Sequence, residues 1–145
     1  MRPDIVAQAR LWIGTPYRHQ CRRLGAGADC LGLVVGVWQA CVGELPASLP
    51  PYSPDWSEPQ GDERLWQAAQ AYFRAKPQSQ ASEGDLILFR MRDGSVAKHL
   101  GIQSEVGATP AFIHAYSGHG VVESRLTPPW ARRVVARFDF PERSL

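Results

Sequence analysis

Residues 84–103 read GDLILFRMRDGSVAKHLGIQ, and the fold turns on how this stretch is parsed. LILFRM is an apolar run of strand length, Arg92-Asp93-Gly94 is a turn signal, and HLGIQ is a second short, partly alternating run. Downstream, AFIHAY, GVVES and VVARFDF repeat the texture with turn residues between them. An antiparallel meander therefore fits better than βαβ units, whose parallel strands need long crossovers.

Upstream of Gly84 the pattern is helical. Ile5, Val6, Ala9, Trp12 and Ile13 keep helical spacing until Gly14-Thr15-Pro16 stops them. Leu31, Val34, Val35, Trp38 and Val42 form a second apolar stripe, with Gly43 as its C-terminal stop. Leu65, Trp66, Ala69, Tyr72 and Phe73 predict a third helix from about Asp62 to Lys76, ended by Pro77. YRHQCRRLGAGA, residues 17–28, is aperiodic and reads as a loop, and Pro46, Pro50, Pro51, Pro54 and Pro59 mark an irregular surface connection. Helices followed by sheet predict an α+β domain with the N-terminal helices packed on an antiparallel sheet.

The 145 residues suffice for one domain, 1–145, with a real core. With 44% hydrophobic and 21% charged residues the composition is that of a globular protein, and a net charge of +2 does not suggest a nucleic-acid surface. MRPDIVAQARLWIG lacks the pattern of an export signal, and no run approaches the ~20 apolar residues of a membrane span. Synthesis in the cytoplasm without membrane insertion is expected. Cys21, Cys30 and Cys41, nine and eleven residues apart, offer neither a paired disulfide framework nor a metal knuckle, so at least one thiol stays free.

Cys30 falls in the first turn of the second helix. Unpaired backbone N–H groups and the positive end of the helix dipole favour thiolate there, and such sites lower a thiol pKa from ~8.5 to roughly 3.5–7.5. An imidazole beside it would complete an ion pair and carry the proton to a leaving amine. Period two puts Phe112, His114 and Tyr116 on one strand face and pairs His99 with Gly101 on another. Neighbouring antiparallel strands would then set His99 beside His114, with Cβ atoms roughly 4.5–5.5 Å apart. His99 is the candidate base and His114 the group that holds its tautomer. The Cys30 backbone N–H and Tyr17 are candidate donors to an oxyanion, and Asp29 suits the N-cap.

Plainer readings exist for each residue. A lone helical cysteine is most often a small core hydrophobe, the role assigned to Cys41, and strand histidines are usually hydrogen-bonded fillers. Cys21 has no assigned role, and His119 in SGHG reads as a loop residue lining the cleft or meeting solvent. Trp12, Trp38, Trp66 and Phe89 read as core, whereas Trp56 and Trp130, next to prolines, suit core or contact equally. Arg18, Arg22 and Arg23 read as a solvated loop that could also steer an anionic substrate. The joint arrangement, a cysteine at a helix start followed by histidines on consecutive strands, raises catalysis above these.

The motifs GTPYRHQ (14–20), ADCLGLV (28–34), GDLILF (84–89), KHLGI (98–102) and FIHA (112–115), in this order, resemble the NlpC/P60 family of papain-like cell-wall peptidases. The resemblance implies Cys30 as nucleophile, His99 as base, His114 as the polar orienting residue and Tyr17 on the substrate or oxyanion side; Asp29, next to Cys30, is a further candidate on that side beside its cap reading. It implies hydrolysis, without cofactor or metal, of an amide in peptidoglycan stem peptides, usually γ-D-glutamyl to diamino acid. WIGTPYRHQ with DCLGLVVGVW looks most like the phage-type branch, whose members accompany tails of phages or of gene transfer particles. That implies docking to tail hub or baseplate proteins and action on the wall from outside. Two departures stand out: QSEVGATPAFI, between the histidines, reads as a lengthened loop, and 44–80 as an insertion. Rival readings are a structural tail component with an unused centre, and a zinc hydrolase using His99, His114 and His119, for which no H-E-x-x-H spacing is present.

Overall fold

A computed structural model describes residues 1–45 and 61–143. Much of the proline-rich segment, with Trp56, lies outside the described residues. The chain begins with α1 (Pro3–Leu11), β1 (Arg22–Arg23), β2 (Gly27–Ala28) and α2 (Cys30–Cys41). There follow α3 (Arg64–Tyr72), β3 (Arg74–Lys76), β4 (Leu86–Arg90), β5 (Ala97–Glu105), β6 (Ala111–Tyr116), β7 (Gly120–Arg125), α4 (Pro128–Ala131) and β8 (Val134–Asp139). This is the α+β architecture the pattern predicts.

The large sheet has six strands in the order β3-β8-β4-β5-β6-β7, every pair antiparallel. From β4 to β7 it is the expected meander, but β8 crosses back to pair with β4 on the other side. Two further expectations need correction. The helix predicted to Lys76 stops at Tyr72, and Arg74–Lys76 pair with Asp139, Phe138 and Arg137 of β8 instead. Phe73 turns extended because its ring packs edge-on against Trp38 and Phe140, at 5.2 and 4.9 Å, and because Arg74 and Lys76 reach Asp139 at 3.1 and 3.2 Å. Tertiary contacts override helix propensity here. The presumed long loop between the histidines is mostly strand, with a bulge between Gln103 and Glu105 and a connection confined to residues 106–110.

Strand alternation divides the core. Leu86, Leu88, Leu100, Ile102, Ile113 and Phe138 face α1 and α2, while Ile87, Phe89 and Phe112 face the opposite side, covered by Trp130, Leu126 and Met91. Helix α2 is buried along most of its length, and Gly36 lets Trp12 close on it, since a Cβ there would stand 2.2 Å from the indole. The helix ends as its sequence suggests, with Val42 as C-cap and Gly43 at φ 139°. Packing on one sheet face fixes where its first residue lands.

Candidate active site

Asp29 starts the site. Its carboxylate caps α2 by accepting from the Gly32 N–H at 2.7 Å, and its second oxygen accepts from the Gln20 N–H at 2.7 Å. Gln20 takes φ 59° to present that N–H, so the carboxylate holds both the helix entrance and the loop before it. The loop is further moored by a parallel bridge from Tyr17 to Ala28 and by Gly14 and Thr15, which exchange backbone hydrogen bonds with Val121 of β7. Residues 17–28, expected to be loop, thus include the β1–β2 hairpin. Asp29 is structural as the cap reading proposes, and it also lines the cavity beside Cys30.

Cys30, the first residue of α2, is 8% exposed, and its thiol lies 3.9 Å from the Lys98 carbonyl oxygen. Tyr17, His19, Asp29, Cys30, Lys98, His99 and Tyr116 share one cavity of about 130 Å³. His99 Nε2 lies 2.7 Å from His114 Nδ1, and His114 Nε2 lies 2.9 Å from the Ser124 hydroxyl. The register Ile102↔Ile113 carries Gly101 opposite His114, so His99 reaches the second imidazole diagonally across the strands. Gly101 permits the close stacking beneath them: a Cβ there would stand 2.7 Å from the Phe112 ring, whose centroid is 4.2 Å from that of His114.

Aromatic rings enclose the imidazoles. Trp130 lies 5.8 Å from His99 and 5.1 Å from His114 between ring centroids, and the Arg133 guanidinium sits over the indole at 5.2 Å. Trp130, for which the sequence suits core and contact equally, thus packs on the imidazole pair, and Ser124 joins the site without a motif of its own. A polar residue on the β7 face that also carries Val122, opposite His114, was the available signal. His119 stacks on Tyr116 with planes 8° apart on an exposed loop, away from any ligand cluster; among the described residues no three His, Cys, Asp or Glu side chains are grouped to hold a metal. All three cysteines are free thiols, and Cys41 is buried as a core residue.

Electrostatics overturn one expectation. Burial, followed by the nearby Asp29 charge, pushes the Cys30 thiol up to about 12. Backbone N–H groups of Leu100, Leu31 and Cys30 do favour the anion, but desolvation outweighs them. Burial, then His114 and Arg133, pushes His99 down to about 3, and burial and His119 push His114 down to about 4. These shifts favour a neutral thiol and neutral imidazoles around the shared cavity over the expected ion pair. Tyr17, raised to about 12 by burial, Cys30 and Asp29, keeps its hydroxyl proton at neutral pH.

Residues 14–138 match the NlpC/P60 family model. Among solved structures, an NLP/P60-family protein similar to a lipoprotein from Staphylococcus aureus superposes with a TM-score of 0.61 at 22% identity, covering 93% of this chain and 39% of that one. An NlpC/P60-family protein from Bacillus cereus gives a TM-score of 0.61 at 19% identity, covering 94% of this chain and 39% of that one. The chain thus spans about two fifths of either neighbour's length, and the likeness is one of fold. Among curated proteins nothing matches the sequence.

Proposed function

Since the chain belongs to the NlpC/P60 family, we propose that it is a cysteine peptidase cutting amide bonds in peptidoglycan stem peptides, at the γ-D-glutamyl to diamino-acid linkage. The observation that carries this reading is a thiol at a helix entrance sharing one cavity with an imidazole whose far nitrogen is held by a second imidazole.

Because both partners rest neutral, His99 acts as general base during attack. With Nε2 hydrogen-bonded to His114, Nδ1 is the nitrogen left to take the thiol proton as Sγ bonds to the amide carbon. Backbone N–H of Cys30 and the Tyr17 hydroxyl donate to the developing oxyanion. The imidazolium then gives its proton to the leaving amine, and water, deprotonated by His99, hydrolyses the acyl-enzyme. His114 accepts from His99 Nε2–H throughout and keeps the base in its useful tautomer.

WIGTPYRHQ and DCLGLVVGVW support carriage by a phage or phage-like tail, docked to hub or baseplate proteins, with the enzyme meeting the wall from outside. The buried, neutral thiol favours a second reading, a tail component whose centre is unused. Digestion of purified peptidoglycan by wild type and Cys30→Ala, with new termini identified by mass spectrometry, separates the two. New γ-D-glutamyl carboxyl termini from wild type alone are expected; unchanged muropeptides, with free protein and with intact particles alike, would overturn the enzyme reading.

A further inference from the structure

We propose that Ser124 is the positioning residue at the end of the imidazole chain: its hydroxyl accepts the proton on His114 Nε2 and thereby decides which nitrogen of each imidazole carries hydrogen. The proposal rests on the reading of Cys30 and His99 as nucleophile and base.

Two directions of hydrogen bonding fit the 2.7 and 2.9 Å separations. In one, His99 Nε2–H donates to His114 Nδ1 and His114 Nε2–H donates to Ser124 Oγ, leaving a lone pair on His99 Nδ1 in the cavity. In the other, the serine hydroxyl donates inward, His114 Nδ1–H donates to His99 Nε2, and His99 Nδ1 carries a hydrogen. Only the first direction can receive a thiol proton.

Ser124 makes that direction affordable. His114 is fully buried among Phe112, Tyr116 and Trp130, so without the hydroxyl its Nε2–H would meet only rings. The tautomer with hydrogen on Nδ1 would then gain, and His99 would be presented to Cys30 with its base occupied. Ser124 is half-buried on β7, so its own hydrogen can go to solvent while its oxygen serves His114.

The test uses the full chain, labelled with nitrogen-15, and four forms: wild type, Ser124→Ala, Ser124→Thr and Ser124→Val. Long-range proton–nitrogen spectra report which ring nitrogen of His99 and His114 bears hydrogen, independently of activity. Wild type and Ser124→Thr should show hydrogen on Nε2 of both rings. Ser124→Ala and Ser124→Val, the latter matching threonine in shape without its hydroxyl, should move hydrogen to His114 Nδ1 and lower kcat about tenfold with KM little changed. The same Nε2–H signals in all four forms would overturn the proposal, as would equal loss of kcat in the threonine variant, which would mark a packing role. If wild type cleaves no peptidoglycan, the spectra still decide the hydroxyl's role, and the failure belongs to the enzymatic reading.

Discussion

Acid should unfold this domain earlier than its carboxylates require, and the two buried imidazoles set how much earlier. Burial, with repulsion from His114 and Arg133, takes His99 from the ordinary 6.5 to about 3, and burial with His119 takes His114 to about 4. Unfolding returns both rings to water, where they bind protons below about pH 6.5, while the native rings stay neutral until the pH is far lower. The unfolded state therefore holds more protons across that window, and stability falls as pH falls through it. Between pH 7 and pH 5 each imidazole costs about 2 kcal/mol, roughly 3–4 kcal/mol together, or about 10 °C in Tm for a domain of this size. Asp4, Glu123 and Asp139 sit below the ordinary carboxylate range, so their contribution survives pH 5 and is lost only further down. Urea unfolding at the two pH values measures the drop directly. His114→Gln should reduce it to about 2 kcal/mol, the share left to His99. A wild-type drop under about 1 kcal/mol, or an undiminished drop in the variant, would refute the reasoning that both rings are buried neutral.

Three other outcomes follow from the same contacts. Alkylation of Cys30 by iodoacetamide, read by peptide mass spectrometry, should climb about tenfold per pH unit from pH 6 to 9 because the thiol sits near 12; a plateau below neutrality would show an ion pair instead. Asp29→Ala removes the acceptors of the Gly32 and Gln20 N–H groups and should cost about 1–2 kcal/mol in denaturant, whereas Asp29→Asn, with one oxygen to accept from one of them and an NH2 facing the other, should recover only part of the loss. Trp130→Ala opens the outer face of the imidazole pair, so both rings should titrate at higher pH by NMR and the acid-induced loss of stability between pH 7 and 5 should shrink.

What the sequence discloses and what it hides divide along a physical line. Period-two and period-3.6 patterns record which face of an element is buried, so α2, the β4–β7 meander and the neighbouring placement of His99 and His114 were legible. Arg74–Lys76 were not. Helical propensity there is outweighed by partners at the far end of the chain, on β8, and no local pattern encodes them. The thiol is the sharper case, because Cys30 does stand at the helix entrance that its sequence predicts while burial reverses the expected shift. A free helix terminus stabilises an anion when water or a cation shares the work; at Cys30 the surrounding chain removes the water and Asp29 adds a negative charge, so the same backbone N–H groups act on a thiol that stays protonated. Helix position is a local property, and desolvation belongs to the assembled fold. On the proposed reading of Cys30 and His99 as nucleophile and base, that difference moves the proton transfer to the moment of attack, when bond formation to carbon replaces the hydration that the sulfur anion lacks, and reactivity then depends on His99's tautomer rather than on a preformed ion pair.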